Sequence, residues 1–342
     1  MAEEFYSTFK KSEPVSILFM VWTVVICIVG CTGNTLVIGA VLVHRKLRTL
    51  GNTFVTNLAV ADFVICLIVS VFGMVGILSD GYFYEDKAVL CNLIGMVCIV
   101  ACSCSMWSIA AISLNRYVFI CHRLLYTVIY NVTTVRLMVA AIWSICFLVD
   151  LPNLVGWGRH GFDERLQMCT YDFTYTYTYT LYFIGVGFGI PLCVSVYCYV
   201  GIINFHKKAN KNLVEGSVGT SAYNQSVVAR KQMEANKRLL KSVLIILVAF
   251  ILMWTPHAVM VLGDYYARWP RILHVFGIAL AHGNSSINSL IYAACNRDFR
   301  RGYMVFLRTI YNRAASCPLK TSRRDKTNHQ RYGLIELSQM TK

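Results

Sequence analysis

Asp62, Arg116 and Asp150 are ionisable residues set in long apolar runs. Asp62 closes LAVAD, Arg116 interrupts ISLNRYVFICHRLLY at 112–126, and Asp150 precedes LPNL at 151–154. In a hydrocarbon-like setting a charge is costly unless a partner or a bound ion compensates it. Such a carboxylate can hold a cation or share a proton in a hydrogen-bond network, and Asp150 can equally accept from a ligand or be satisfied between helices. A guanidinium can be held by polar neighbours and released to a partner. Cys98, Cys102, Ser105, Ile109, Ile112 and Arg116 recur at steps of four and three, which puts them on one stripe of a helix. Asp150 and Asn153 share a helix face at i, i+3, as do Trp254, His257 and Val261, while His282 sits in a later run. No nucleophile stands with a base, and the 8 histidines form no HExxH or similar set, so enzyme chemistry is not indicated.

These residues need long apolar elements to hold them. The chain has 342 residues, 56% hydrophobic and 14% charged, and several runs exceed the roughly 20 helical residues that cross a bilayer. Spans are expected near 15–42, 52–79, 88–121, 136–158, 178–206, 236–264 and 271–295. The seventh is the most polar, carrying His274, His282, Asn284 and Asn288. The alternating TYTYTYT at 174–180 reads as the outer lead-in to the fifth helix, because an open strand cannot sit in lipid, and its aromatics read as an interfacial belt. Segments between odd and even spans on one side hold 25 of the 32 Lys and Arg with 5 acids; those on the other side hold 7 bases and 10 acids. The positive-inside rule then puts the amino terminus outside and the carboxyl terminus in the cytoplasm, which requires an odd number of spans. The +15 net charge follows from that topology and inner-leaflet attraction, with no nucleic-acid partner. The first residues show no cleavable signal peptide, and the NVT at 131 and NQS at 224 fall inside, away from glycosylation.

Of 14 cysteines, only Cys91 and Cys169 meet an oxidising compartment together under this topology, and they are expected to be joined. The rise from Cys91 to Arg116 is about 37 Å at 1.5 Å per residue, so Arg116 lies at the cytoplasmic mouth of the third helix. Arg230 to Lys241 is a basic helical pattern expected to extend the sixth helix inward. In 296–310, Phe299, Tyr303, Phe306 and Ile310 recur near helical spacing with arginines opposite, the pattern of a helix lying on a membrane. Cys317 follows it as a candidate for palmitoylation. No paired halves suggest a transporter, and no ring of charges suggests a channel.

Gly33-Asn34, LAVAD, NRY at 115–117, Trp143, Pro191 with Tyr199, WTP at 254–256 and NSLIY at 288–292 fall in order, one set to a span. In that order the set resembles rhodopsin-like (class A) G-protein-coupled receptors over about residues 15–310. The resemblance implies an all-α membrane protein of the plasma membrane: a tail at 1–14, a seven-transmembrane helix bundle at 15–295, a short amphipathic eighth helix at 296–310 and a basic cytoplasmic tail at 311–342. It implies a heterotrimeric G protein as partner, docking where Asn115, Arg116, Tyr117, Tyr199 and Tyr292 form the switch. Asp62, Ser105, Asn284 and Asn288 match the family's sodium pocket, and no other cofactor is expected. Met106, Pro191, Phe250 and Trp254 match its core relay. Two positions depart from the pattern: the acid before the arginine is Asn115, which implies basal activity, and the seventh-helix proline is Ser289, which implies a weaker kink.

Cys98 stands where amine receptors carry an Asp, and His282 where opsins carry the retinal lysine, so neither an amine nor retinal is expected. NRYVFICH is similar to the NRYCYICH of melatonin receptors, as are HRKLRTLGNTFVTNLAVAD and LPNL. That resemblance implies a small neutral indole-type ligand and an inhibitory G protein, with Asn153 and Tyr171 as ligand contacts. The family's loop Gln is Phe173 here and its fifth-helix His is Gly187. GWGRHGFDERLQMC also resembles the moody/trapped-in-endoderm orphan branch, which implies another ligand or constitutive activity. Position adds Cys98, Cys102, Asp150, Trp254, His257, Val261 and His282 to the candidate pocket.

Overall fold

Six of the apolar runs become helices long and apolar enough to cross a membrane, among the residues described by this computed structural model, 14–215 and 244–315. They are α1 (Pro14–Val43), α2 (Leu50–Ser79), α3 (Ala88–Cys121), α4 (Val132–Leu154), α5 (Tyr177–Lys208, continuing helically to Glu215) and α6 (Leu244–Gly263). Their lipid-compatible surfaces carry exposed Leu18, Ile28, Leu42, Leu148 and Leu252. The seventh helix, α7 (Arg271–Cys295), falls short of the same apolarity because His274, His282, Asn284, Ser285 and Asn288 lie along it; all of these are buried, so its polar face points into the bundle. A final amphipathic helix, α8 (Arg297–Ala315), runs one turn beyond the expected end at 310. The expected inward extension of the sixth helix at Arg230 to Lys241, and Cys317, lie outside the described residues.

Two spans contain π-helical turns that periodicity did not show. In α2, Ile65–Val69 is π-helical and Ser70 Oγ donates to the Ile65 carbonyl at 3.3 Å, the i to i+5 spacing of such a turn. In α5 the glycine-rich Phe183–Gly189 is π-helical, and Ile190 follows without a break. Each extra residue shifts the phase of the helix face beyond it, which changes the side chains that enter the bundle.

Side-chain hydrogen bonds lock the helices together where the bilayer supplies no water. Asn34 on α1 donates to the Ser285 carbonyl on α7 at 2.9 Å. Asn57 on α2 donates to Ser108 on α3 at 2.8 Å and accepts from Trp143 Nε1 on α4 at 2.9 Å. α8 folds back on the bundle, with Phe299 stacked 4.9 Å from Tyr292 and Arg300 Nη1 donating to the last α7 carbonyls, Ala293 and Ala294, at 2.9 and 2.8 Å. A cation at a helix C-terminus also complements its dipole.

Between α4 and α5 a hairpin covers one end of the bundle. β1 (His160–Asp163) pairs antiparallel with β2 (Met168–Tyr171), His160 opposite Tyr171 and Asp163 opposite Met168. Asp163 Oδ1 accepts from the backbone amides of Arg165 and Leu166 at 2.8 and 3.1 Å, which closes the turn. The Cys91–Cys169 disulfide ties β2 to the start of α3, as the cysteine pattern predicts. Gly76 lets the hairpin descend onto α2: a Cβ there would stand 2.3 Å from the Gln167 carbonyl oxygen. Two four-residue strands are too short to register as periodicity, and the sequence reading had only a loop here.

Candidate functional site

At the disulfide end, the hairpin and the tops of α3 to α7 enclose a buried polar and aromatic cluster. His160 Nε2 lies 3.1 Å from Asp150 Oδ1. Asn153 Nδ2 donates to the same oxygen at 3.0 Å and to the Tyr179 hydroxyl oxygen at 2.5 Å. Asp150 thus has His160 and Asn153 as partners within the protein. The Tyr171 ring lies tilted against Phe183 at 5.0 Å and edge-on to Tyr179 at 6.0 Å, and its buried hydroxyl has no hydrogen-bond partner. Val261 packs in the same apolar cluster. Across the bundle, Cys98 Sγ is 3.6 Å from His282 Nε2, with Cys102 beside them. His257 stands edge-on to Trp254, 6.0 Å between centroids.

Asp264, just past α6, fixes the connection to α7. It accepts from the backbone amides of Arg268 and Trp269 at 2.7 and 2.8 Å and lies 2.9 Å from His274 Nε2. Burial pushes its pKa up, but the Trp269 and Arg268 amides and His274 together outweigh this and hold it below the usual carboxylate range.

Midway along the bundle, Asp62 is fully buried. Ser105 Oγ donates to one carboxylate oxygen and Asn288 Nδ2 to the other, the latter at 2.8 Å. The amide oxygens of Asn284 and Asn288 are also buried, and neither receives a hydrogen bond. Beside this network Phe250 and Trp254 stack at 6.0 Å. Phe188 bridges them at 5.7 and 6.3 Å, and Met106 is buried in the same core. Pro191 is buried one turn on, its carbonyl accepting from Ser195 at 2.9 Å.

At the opposite end from the disulfide, Arg116 has its Nε buried without a hydrogen-bond acceptor. No carboxylate among the described residues lies within ion-pair distance of it. Asn115, in the place of the usual acid, is buried against α2, where a Cβ on Gly51 would meet its Oδ1 at 2.6 Å. Tyr199 and Tyr292 are both buried. Tyr117 turns toward α5 instead, its ring 5.8 Å from Tyr197 and its hydroxyl 3.1 Å from His122 Nε2. α7 continues as an unbroken helix through Ser289, whose hydroxyl donates back to the Ser286 carbonyl at 3.0 Å.

Sequence reasoning did not select His160, Tyr179, Phe183 or Phe188. His160 lies in a strand too short to detect, and Phe183 and Phe188 lie in the π-helical turn. The reading of the Tyr-Thr run as an interfacial belt needs correcting: Tyr175 and Tyr177 are exposed, but Tyr179 is fully buried beneath the hairpin.

Residues 33–292 match the family model described as "7 transmembrane receptor (rhodopsin family)". The melatonin receptor type 1B-B of Danio rerio is 28% identical over 290 residues, covering 83% of this chain and 80% of that protein. The melatonin receptor type 1A of Ovis aries is 28% identical over 316 residues, covering 91% and 80%. The G-protein coupled receptor moody of Drosophila melanogaster is 27% identical over 337 residues, covering 83% of this chain and 50% of that longer protein. Squid rhodopsin superposes with a TM-score of 0.78 at 21% identity, covering 90% of this chain and 89% of that one, which shows the fold. With three quarters of its length matched by one family model, and with the motifs of each span in order on a seven-helix bundle, the chain belongs to the rhodopsin family of seven-transmembrane receptors.

Proposed function

We propose that this receptor binds a small neutral ligand at the disulfide end, facing outside the plasma membrane, and passes the change to a heterotrimeric G protein at the Arg116 end, in the cytoplasm. The observation that carries this reading is Arg116 itself. It is a half-buried cation at the base of α3, its Nε buried without an acceptor and with no carboxylate partner among the described residues, available to an acceptor presented from outside the bundle. At the other end Asp150 is already occupied by His160 and Asn153, which disfavours a cationic amine and supports a neutral ligand. The similarity to melatonin receptors supports an indole-type ligand touching Asn153 and Tyr171, and a G protein of inhibitory type. Against melatonin itself stand Phe173, which stacks 5.8 Å from His274, and Gly187, which offers no imidazole.

A sodium ion fits the middle of the bundle, because the oxygens of Asn284 and Asn288 are buried acceptors without donors beside the Asp62 carboxylate. Hard oxygen ligands suit such a cation, and Asp62, Ser105, Asn284 and Asn288 would hold it. When bound it supplies a positive charge that balances Asp62 and favours the resting arrangement of α2, α3 and α7.

The alternative reading is a receptor of the moody type, with another ligand or constitutive activity. The unpaired Arg116 favours it specifically, because no ion pair restrains the resting state. Both readings are tested by G-protein nucleotide exchange in membranes containing the chain, without ligand, with melatonin and with an indole panel, beside Arg116→Ala. A melatonin or indole response lost in Arg116→Ala is the expected result. Exchange without ligand that ignores indoles and is lost in Arg116→Ala selects the alternative. No exchange in any condition overturns the receptor reading for the G proteins assayed.

A further inference from the structure

Among the described residues, one group of soft donors converges away from the Asp62 network. The sulfurs of Cys98 and Cys102 and a ring nitrogen of His282 all lie within 4.8 Å of one another. All three residues are buried. Cys98 and Cys102 stand at i, i+4 on α3, so their sulfurs stack on one face, and His282 reaches them from α7. The separation of 3.6 Å between Cys98 Sγ and His282 Nε2 equals the edge of a zinc tetrahedron, about 3.6 Å for bond lengths of about 2.3 Å to sulfur and 2.0–2.1 Å to nitrogen.

We propose that Cys98, Cys102 and His282 form a Zn²⁺ site joining α3 to α7 in the half of the bundle nearest the disulfide. On binding, the two thiols lose their protons to solvent and the imidazole stays neutral, with no change of oxidation state. Two thiolates then cancel the charge of the ion, and a neutral complex is what a buried site tolerates. Thiolate softness selects zinc over sodium, magnesium or calcium, which separates this site from the oxygen-lined one around Asp62. Three protein ligands leave a fourth position for water or for a donor atom of a ligand, the arrangement of open rather than closed zinc sites. A metal bridge here restrains the motion of α3 against α7. The site shares residues with the ligand pocket proposed above but does not depend on that reading, and its test uses no G protein.

The test is a titration with Co²⁺ alone on the full chain, purified in nanodiscs with the Cys91–Cys169 disulfide intact and stripped with a chelator. The expected result is one equivalent bound, with thiolate-to-cobalt charge-transfer absorption and intense tetrahedral ligand-field bands, both erased by one equivalent of Zn²⁺. Cys98→Ser, Cys102→Ser and His282→Ala each remove the charge-transfer band or weaken the apparent Kd at least about tenfold. Cys27→Ser, on α1, leaves the signal unchanged. His282→Cys keeps binding and raises the charge-transfer intensity, because three thiolates replace two; this separates loss of a ligand from loss of the fold. Absence of the bands in the unmodified chain, or bands that survive both Cys98→Ser and Cys102→Ser, overturns the proposal and leaves the cluster as a thiol–imidazole hydrogen bond.

Discussion

Arg116 and Asn115 are neighbours in sequence that both approach Gly51 on α2, a Cβ there lying 3.5 Å from Arg116 Nη2 and 2.6 Å from Asn115 Oδ1. Arg116 has a buried Nε with no acceptor, while Asn115 turns to α2 and fills the space that Gly51 leaves. Restoring a carboxylate beside the guanidinium would add a partly desolvated ion pair to the resting state only. Asn115→Asp is therefore expected to lower ligand-independent nucleotide exchange about fivefold, the effect of ~1 kcal/mol on a two-state equilibrium; unchanged exchange would show that Arg116 is restrained by other means. Asp62 presents the converse case, a buried acid that accepts from Ser105 on α3 and Asn288 on α7. Asp62→Asn is expected to abolish any dependence of agonist affinity on Na⁺ when Na⁺ is replaced by a bulky organic cation at constant ionic strength. A dependence that persists in the variant would place the ion elsewhere. The residue types at both positions were legible in the sequence, because ionisable groups in apolar runs are rare and conspicuous. Their partners were not, because a hydrogen bond between helices leaves no local pattern.

Helix existence followed from apolar length and helix facing from periodicity, and the polar seventh helix was recovered through charge bookkeeping rather than hydropathy. Its histidines and asparagines turn inward, which is why its apolarity stays below that of the six others. The π-helical turns of α2 and α5 escaped detection, since a single extra residue per turn barely alters a hydropathy window yet rotates the faces beyond it. The α6–α7 connection depends on one carboxylate: Asp264 accepts two backbone amides and lies against His274. Its depressed pKa means that its stabilisation is fully present above the unfolded carboxyl value and is lost as pH falls through the lower folded value. The difference in thermal unfolding midpoint between the unmodified chain and Asp264→Asn should stay constant from pH 7 to about pH 5 and shrink below about pH 4. A difference that vanishes nearer neutrality would mean that the Asp264 carboxylate does not control the connection.

Across the whole molecule, a rigid cap at the disulfide end faces a guanidinium without a carboxylate partner at the other. The hairpin is held to α3 by Cys91–Cys169, which closes a separation of 78 residues, and to α7 by Arg271 Nε donating to the Arg165 carbonyl at 2.8 Å. Replacing Cys91 and Cys169 together by Ser should cost ~2–5 kcal/mol of stability, read as a lower thermal unfolding midpoint and as loss of binding for any ligand found at the cap. Unchanged stability would show that the hairpin is held by its hydrogen bonds alone. The sequence by itself determined the membrane class, the seven spans, the motif order and the cysteine pair, because each follows from transfer of apolar length into lipid, from loop charge or from redox compartment. Only the tertiary structure decided that Asp150 is spent on His160 and Asn153, that Tyr179 is buried wall rather than belt, and that Cys98, Cys102 and His282 converge. Each of those outcomes depends on distances between elements far apart in the chain, and periodicity within one element carries no information about them.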